Sequence, residues 1–316
     1  MANNPKQKTR NQHTVPQCYL RGFANAQGNF FSFNKLYRKS KPANVKSSAS
    51  ADYFYDFEPA TLQNQTDEIQ WVETTFSMLE RRFKEVLDAF IDEAKAGEIG
   101  HETGSSMAQF VAIQWMRTSG HRETLLELYS KAMQDFVDGW YAKNHPNVPP
   151  GKFTMGAGYA EAFHAQSIFE NNSIFHFGEM FWNLLWVVGR NRTGKPFYTS
   201  DEPVARKNHP VENCSSGPLP PGIGLEYAFP LNSEFILVMM DRRKFRGFKN
   251  YERKTMEFAA EDVERYNAMQ VMTSTQYVFC EEQDFELAEL VCREHSEVCD
   301  PERNRCQISF SRQSAN

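Results

Sequence analysis

Between residues 67 and 143 apolar side chains recur at helical spacing in three successive runs, and aromatic, strand-like segments flank the block on both sides. In the first run Ile69, Val72, Phe76, Leu79, Phe83, Val86, Leu87, Phe90 and Ile91 follow one another three or four residues apart. That spacing lines one face of a helix. Thr66 or Asp67 is placed to cap it and Gly97 to end it. A second run over 105–119 carries Met107, Phe110, Val111 and Trp115, with Gly120 as a kink or stop. A third, over 121–143, carries Leu125, Leu128, Tyr129, Phe136 and Trp140. Three amphipathic helices in a row read as a helical bundle layer.

The flanks read differently. Residues 29–34 form a strand after an Asn-Ala-Gln-Gly turn, 39–50 a basic, Ser-rich exposed connection, and 52–57 a second aromatic strand. Beyond the third helix, 144–158 is a Pro- and Gly-rich loop and 159–170 a helix. Strands are then expected at 183–188, 197–199, 226–231 and 235–240, the last a continuous apolar run of the buried kind. A long Pro-rich loop occupies 203–224, a length often associated with lids. A helix (260–272), a strand (277–280) and a helix (284–295) complete the pattern. Strands, then a helix cluster, then strands argue for α+β rather than a βαβ series. The expected architecture is a helical layer over about 67–170, packed on or inserted into a mixed sheet built from N-terminal and C-terminal strands. The expected division is a flexible basic start (1–12), a single domain (13–298) and a loose polar tail (299–316).

The chain's 26 Phe, 12 Tyr and 5 Trp supply a large apolar payload for such a core. A net charge of −5 forces no basic face, which weakens a non-specific duplex-DNA binder. No apolar run reaches membrane-spanning length and the first ten residues lack an apolar signal core, so a cytoplasmic protein with no membrane partner is expected. Phosphate-loop, dinucleotide, zincin and nucleophile-elbow signatures are absent, so no nucleotide-cofactor motif is present.

Several polar clusters carry candidate chemistry. His13 and Gln17 lie one turn apart beside Pro16, with Tyr19, Leu20 and Phe23 as apolar anchors. Such a His can act as general acid or base and such a Gln can orient a substrate. Gln114 and Arg117 share one face of an apolar helix. A guanidinium there needs an anionic ligand or a structural carboxylate such as Glu73 or Glu80. Ser200 and Asp201 stand where a strand enters a turn before Pro203. Asp201 is a candidate base, a candidate ligand for a divalent cation, or a partner for Arg117, against a plain Asx turn. Glu161-x-x-His164, with His176 and Glu179 nearby, is half of a di-iron pattern whose second half is missing. Cys292, His295, Cys299 and Cys306 are weakly spaced for zinc, without a tight Cys-x-x-Cys pair.

His13-x-x-Pro16-x-x-Tyr19-Leu20-x-x-Phe23, Gln114-x-x-Arg117-Thr118, Thr199-Ser200-Asp201-x-Pro203-Val204, and Asn267 followed by Tyr277-Val278-Phe279 resemble the motifs of the bacterial family catalogued as domain of unknown function 4238. The resemblance runs from His13 to Phe279 and leaves the Cys292 cluster outside. It implies that His13, Gln17, Gln114, Arg117 and Asp201 matter, and it implies no reaction.

Taken together, the residues point to a hydrolase acting on a phosphate-bearing substrate, a nuclease or nucleotide hydrolase with nucleic acid or nucleotide as its partner. His13 would be general acid or base and Arg117 the phosphate holder. Asp201 would orient His13 or bind the cation, and Gln17, Gln114 and Ser200 would position substrate. The alternatives are a non-catalytic binding or sensor module for an anionic ligand, and a purely structural polar cluster.

Overall fold

The computed structural model describes residues 8–57, 70–156, 158–210 and 224–304. It is a mixed α+β fold with helices and strands in the anticipated order. The first long helix, α2 (Trp71–Ala96, following a four-residue α1 at Gln17–Leu20), buries Val72, Phe76, Phe83, Leu87, Phe90 and Ala94 along one stripe. Its expected caps, Thr66 and Asp67, lie outside the described residues. It ends on Gly97, whose φ of 105° admits only glycine comfortably, and whose N–H reaches back to Glu93 and Ala94 carbonyls. The next helix, α3 (His101–Met116), is buried on almost every side from Met107 to Met116 and is the axis of the helical layer. Gly120 neither kinks nor ends a helix. Arg117 and Thr118 form the break, Thr118 caps α4 (Ser119–Asn144), and Gly120 lies in its first turn. The layer is completed by α5 (Tyr159–Phe169) and α6 (Ser173–Trp182).

Two larger sheets stand against these helices. One contains β2 (Phe30–Asn34), β3 (Lys39–Ala43), β6 (Thr199–Ser200) and β11 (Tyr277–Cys280), in the order β3-β2-β11-β6 and antiparallel throughout. Both ends of the chain therefore build it, as expected. The second comes entirely from the C-terminal half: β5 (Leu185–Asn191), β7 (Ala205–Asn208), β8 (Leu225–Pro230), β9 (Phe235–Met240) and β10 (Thr255–Phe258). Their order is β10-β5-β9-β8-β7, with only β10 and β5 parallel. A short pair joins β1 (Asn11–His13) to β4 (Ser50–Asp52).

Every residue of β9 is buried because both faces of its sheet are covered. Phe235, Leu237 and Met239 join the core shared with α2 and α3. Ile236, Val238 and Met240 join a second core under Val263, Tyr266 and Met269 of α7 (Ala260–Thr273). A third core forms where Phe33, Val278 and Cys280 meet Ala288, Val291 and Cys292 of α8 (Glu286–Glu294).

Some expectations change. Residues 39–50 are not a bare connection: β3 pairs with β2, and its basic residues point outward as an edge strand requires. The strand expected at 52–57 is shorter and earlier, and Tyr55 and Phe57 are buried from a turn instead. The helix α6 and the short strands β7 and β10 fall in segments read as apolar run or loop.

Gly189 on β5 lies under the ring of Phe258 on β10, where an added Cβ would come within 2.3 Å of the ring. Gly189→Ala is expected to lower stability by about 1–3 kcal/mol, the usual cost of overpacking. Urea unfolding checks this, and an unchanged midpoint would show that the two strands separate freely.

Candidate functional site

The turn after β6 is tied to the turn after α7. One oxygen of Asp201 accepts the N–H of Thr275 at 2.8 Å, and the other accepts those of Gln276 and Tyr277 at 2.8 Å each. Three successive amides thus converge on one buried carboxylate. Burial pushes the Asp201 carboxyl up, while the N–H bonds and the Lys35 charge pull the other way. The preceding carbonyls, at the end of α7, are held by cations. Lys35 Nζ donates to Val271 and Ser274 carbonyls at 2.8 and 2.6 Å, and Arg303 donates to those of Met272, Thr273 and Ser274. Positive charge at a helix C-terminus is stabilising. Lys35 is completely buried, and burial lowers its pKa to about 8. Arg303 lies within the segment read as a loose tail, yet it is anchored here, whereas residues 305–316 lie outside the described residues.

The neighbours of Asp201 complete the knot. Ser200 Oγ bonds to Gln270 Oε1 at 2.8 Å, and Gln270 Nε2 donates to the Pro203 carbonyl at 2.9 Å. Glu202 turns the other way and accepts the N–H of Gly120 in the first turn of α4, at 2.5 Å, together with Thr275 Oγ1 at 3.2 Å. Asn267 accepts the Tyr198 N–H at 2.8 Å. Tyr19 carries the N-terminal motif to the same place: its hydroxyl donates to the Pro230 carbonyl at 2.6 Å and receives Thr199 Oγ1 at 2.8 Å.

His13 and Arg117 meet elsewhere, and through backbone. Arg117 Nη2 donates to the carbonyl of His13, while the His13 ring turns to the Lys46 carbonyl, 3.0 Å from Nε2. A carbonyl only accepts, so Nε2 carries the proton. Arg117 is 1 % exposed and stacks on Phe76, its guanidinium carbon 4.3 Å from the ring centre. Among the described residues its Nε and Nη1 have no hydrogen-bond partner, nor does Oε1 of Gln114, whose Nε2 donates to the Thr14 carbonyl at 3.3 Å. Neither Glu73 nor Glu80 bonds to the guanidinium, although its charge pulls down the Glu73 carboxyl that burial pushes up. Gln17 stays at the surface, accepting from Arg21 at 3.2 Å.

The motifs do share a boundary. Thr14, Ser119, Asp201 and Tyr277 line one open cleft of about 620 Å³, together with Ser32, Ser48 and Phe54. His13 and Arg117 are not on its wall; they hold the end of β1, from which the chain runs into Thr14. Gln12, Lys35, Glu202 and Gln270 were not singled out from sequence. Gln12 accepts the Tyr55 N–H at 2.6 Å and donates to Asp56, fastening the segment that forms one wall. Glu202 alone had a readable signal, a carboxylate in the same motif as Asp201.

The metal candidates have their donors engaged. His164 presents Nε2 to the Met116 carbonyl at 2.7 Å, and its Nδ1 accepts from Arg122 Nε at 3.1 Å. Both Asp201 oxygens face N–H groups, the reverse of a cation's requirement. Cys299 Sγ points to the Cys292 carbonyl at 3.8 Å, and burial pushes the Cys292 thiol up to about 12, so it is protonated rather than a thiolate ligand. His295 faces Glu297 instead, and Cys306 lies outside the described residues. Among the described residues no group of three His, Cys, Asp or Glu side chains is arranged to hold a metal ion.

This is a mixed α+β protein whose sequence motifs frame a polar cleft. The chain matches the family model described as "Protein of unknown function (DUF4238)" over residues 11–284, and it belongs to that family. Comparison with curated proteins and with solved structures returns no match. No helix among the described residues is long and apolar enough to cross a membrane.

Asp201→Asn leaves at least one of the three amides facing an NH₂ group. It should cost more than about 2 kcal/mol of unfolding free energy, as expected for bonds to a charged acceptor; denaturant titration measures it, and a loss under about 0.5 kcal/mol would contradict the role. Acid should also unfold the protein through its imidazoles. Burial lowers the pKa of His13, of His164 and, to about 4, of His121. The unfolded chain therefore binds protons first, and the stability contributed by neutral imidazoles, complete above about pH 6.5, falls as pH drops toward the folded values. Melting temperature followed from pH 7 to pH 4.5 should fall, and less so in His121→Asn.

Proposed function

We propose that the protein is a small-molecule-binding module whose ligand occupies the cleft between Thr14, Ser119, Asp201 and Tyr277. The observation that carries this reading is the state of Asp201: it sits on the wall with both oxygens committed to backbone amides. A carboxylate with both oxygens committed to backbone amides shapes the wall of a site. The remaining wall is hydroxyl and amide, with Lys41 as its cation and Phe54, Tyr277 and Phe279 as aromatic surface. Its volume falls in the range of small-molecule sites. A wall of this kind suits a small polar ligand with a flat or ring-shaped body, such as a nucleoside or nucleotide, recognised without turnover.

A hydrolase acting on a phosphate-bearing substrate is the second reading, and one observation favours it. Arg117 keeps two unpartnered donors on a buried guanidinium, which is charge available to an anion if the His13 strand moves.

Calorimetry with nucleosides, nucleotides and monosaccharides separates the readings. Ser47 is exposed on the cleft's outer wall, so Ser47→Trp fills the opening while changing stability by no more than about 0.5 kcal/mol. One ligand class should bind saturably and lose at least about tenfold in affinity in this variant, ~1.4 kcal/mol. No saturable binding, or equal binding by the variant, contradicts the proposal. Nucleotide or phosphodiester turnover that disappears in a folded His13→Ala protein would replace it with the hydrolase.

A further inference from the structure

A second cleft lies next to the first. Neighbouring residues of the same three segments are shared between the two. Ser119, Asp201 and Thr275 line the first, and Gly120, Glu202 and Thr273 line the second, a space of about 330 Å³. Asp201 turns to the amides of Thr275–Tyr277 and Glu202 to that of Gly120, so the Asp201–Glu202 turn is the partition.

The second cleft has a different chemical character. His121 lines it as a half-buried imidazole whose ring makes no hydrogen bond among the described residues; it meets the edge-on ring of Trp115, 4.7 Å between centres, and the His164 ring at 6.2 Å. A neutral imidazole has one donor and one acceptor nitrogen, and both normally find partners when a ring is this enclosed. Arg206, on β7, is exposed at the cleft and adds a guanidinium, opposite Tyr227 of β8 in the strand register. The Arg303 guanidinium is immobilised on the α7 carbonyls and adds a fixed positive charge to the wall. The opposing carboxylate, Glu202, already accepts from Gly120, Ser119 and Thr275. Trp115, Val204 and Met272 supply apolar wall, and Met272 is 38 % exposed. Among the described lining residues, the guanidiniums of Arg206 and Arg303 and the engaged Glu202 carboxylate lie beside an aromatic face.

We infer that this second cleft binds a small organic anion, its charged group held by Arg206 and His121 and its apolar body packed on Trp115 and Met272. A planar guanidinium matches a carboxylate or phosphate group, and the volume accommodates one ring with its charged substituent. The site is separate from the cleft proposed above and does not depend on its ligand.

Titration calorimetry of the full chain with phenyl phosphate and benzoate tests the inference, with inorganic phosphate and benzyl alcohol as controls. At least one of the two aromatic anions should bind saturably and more tightly than either control. Arg206→Gln and His121→Asn should each weaken it about tenfold (~1.4 kcal/mol). Arg206 is exposed, so Arg206→Gln folds normally and isolates the binding contribution even if His121→Asn is destabilised. No saturable binding by either anion overturns the inference. So does equal binding by inorganic phosphate or benzyl alcohol, or unchanged affinity in Arg206→Gln.

Discussion

A buried carboxylate that receives three consecutive amides organises this molecule. Asp201 closes the turn from Thr275 to Tyr277, and that turn joins α7, which covers one face of the five-stranded sheet, to β11, one of the two inner strands of the four-stranded sheet. The amides would otherwise be buried donors without acceptors, each costing about 1–3 kcal/mol. With the carboxylate in place, β6 is held beside β11, and the Ser200–Gln270 and Glu202–Gly120 bonds can form on either side. One residue thereby sets the relation between α7, α4 and the sheet formed by both chain ends.

The same arrangement separates structural polarity from polarity open to a ligand. His13, Arg117 and Lys35 direct their bonds to backbone, and His164 divides its own between the Met116 carbonyl and the Arg122 side chain. The groups that remain facing the clefts include hydroxyls, side-chain amides, Lys41, the His121 ring and Arg206. Arg117 is the exception. Its two unpartnered donors lie in an environment where an unpaired polar group is costly, and the face of Phe76 supplies only partial compensation. Stored cost of this kind is characteristic of positions that also serve a purpose other than stability.

Much of the fold was legible because its periodicity is unambiguous. The stripe of α2, the all-apolar β9 and the short aromatic β11 each match one template, and a sheet drawn from both chain ends was expected, though not which strands pair or in which direction. The helix α6 was not legible: Phe175, Phe177, Met180, Phe181 and Trp182 make an apolar segment in which helical and strand spacing cannot be told apart. The strands β7 (Ala-Arg-Lys-Asn) and β10 (Thr-Met-Glu-Phe) are as short as β11 but lack its apolar, aromatic run. At the site, motif residues could be named but their partners could not. Asp201 binds amides 74 to 76 residues away, and Lys35 binds carbonyls 236 and 239 residues away. A lysine in an aromatic strand reads as a solvent-facing residue, and only the end of a distant helix makes its burial favourable. Ring orientation was equally inaccessible: nothing local to His13 indicates that its nitrogen faces Lys46 and not a substrate.

The most direct test of this organisation is amide hydrogen exchange at Thr275, Gln276 and Tyr277, measured residue by residue in the native protein. If Asp201 closes this turn as the central tie, the three amides open only when the whole structure unfolds, and their opening free energies equal that of the most protected positions in β9. Exchange at the rate of an ordinary exposed turn would show that the carboxylate does not hold them, and the account would fail at its centre.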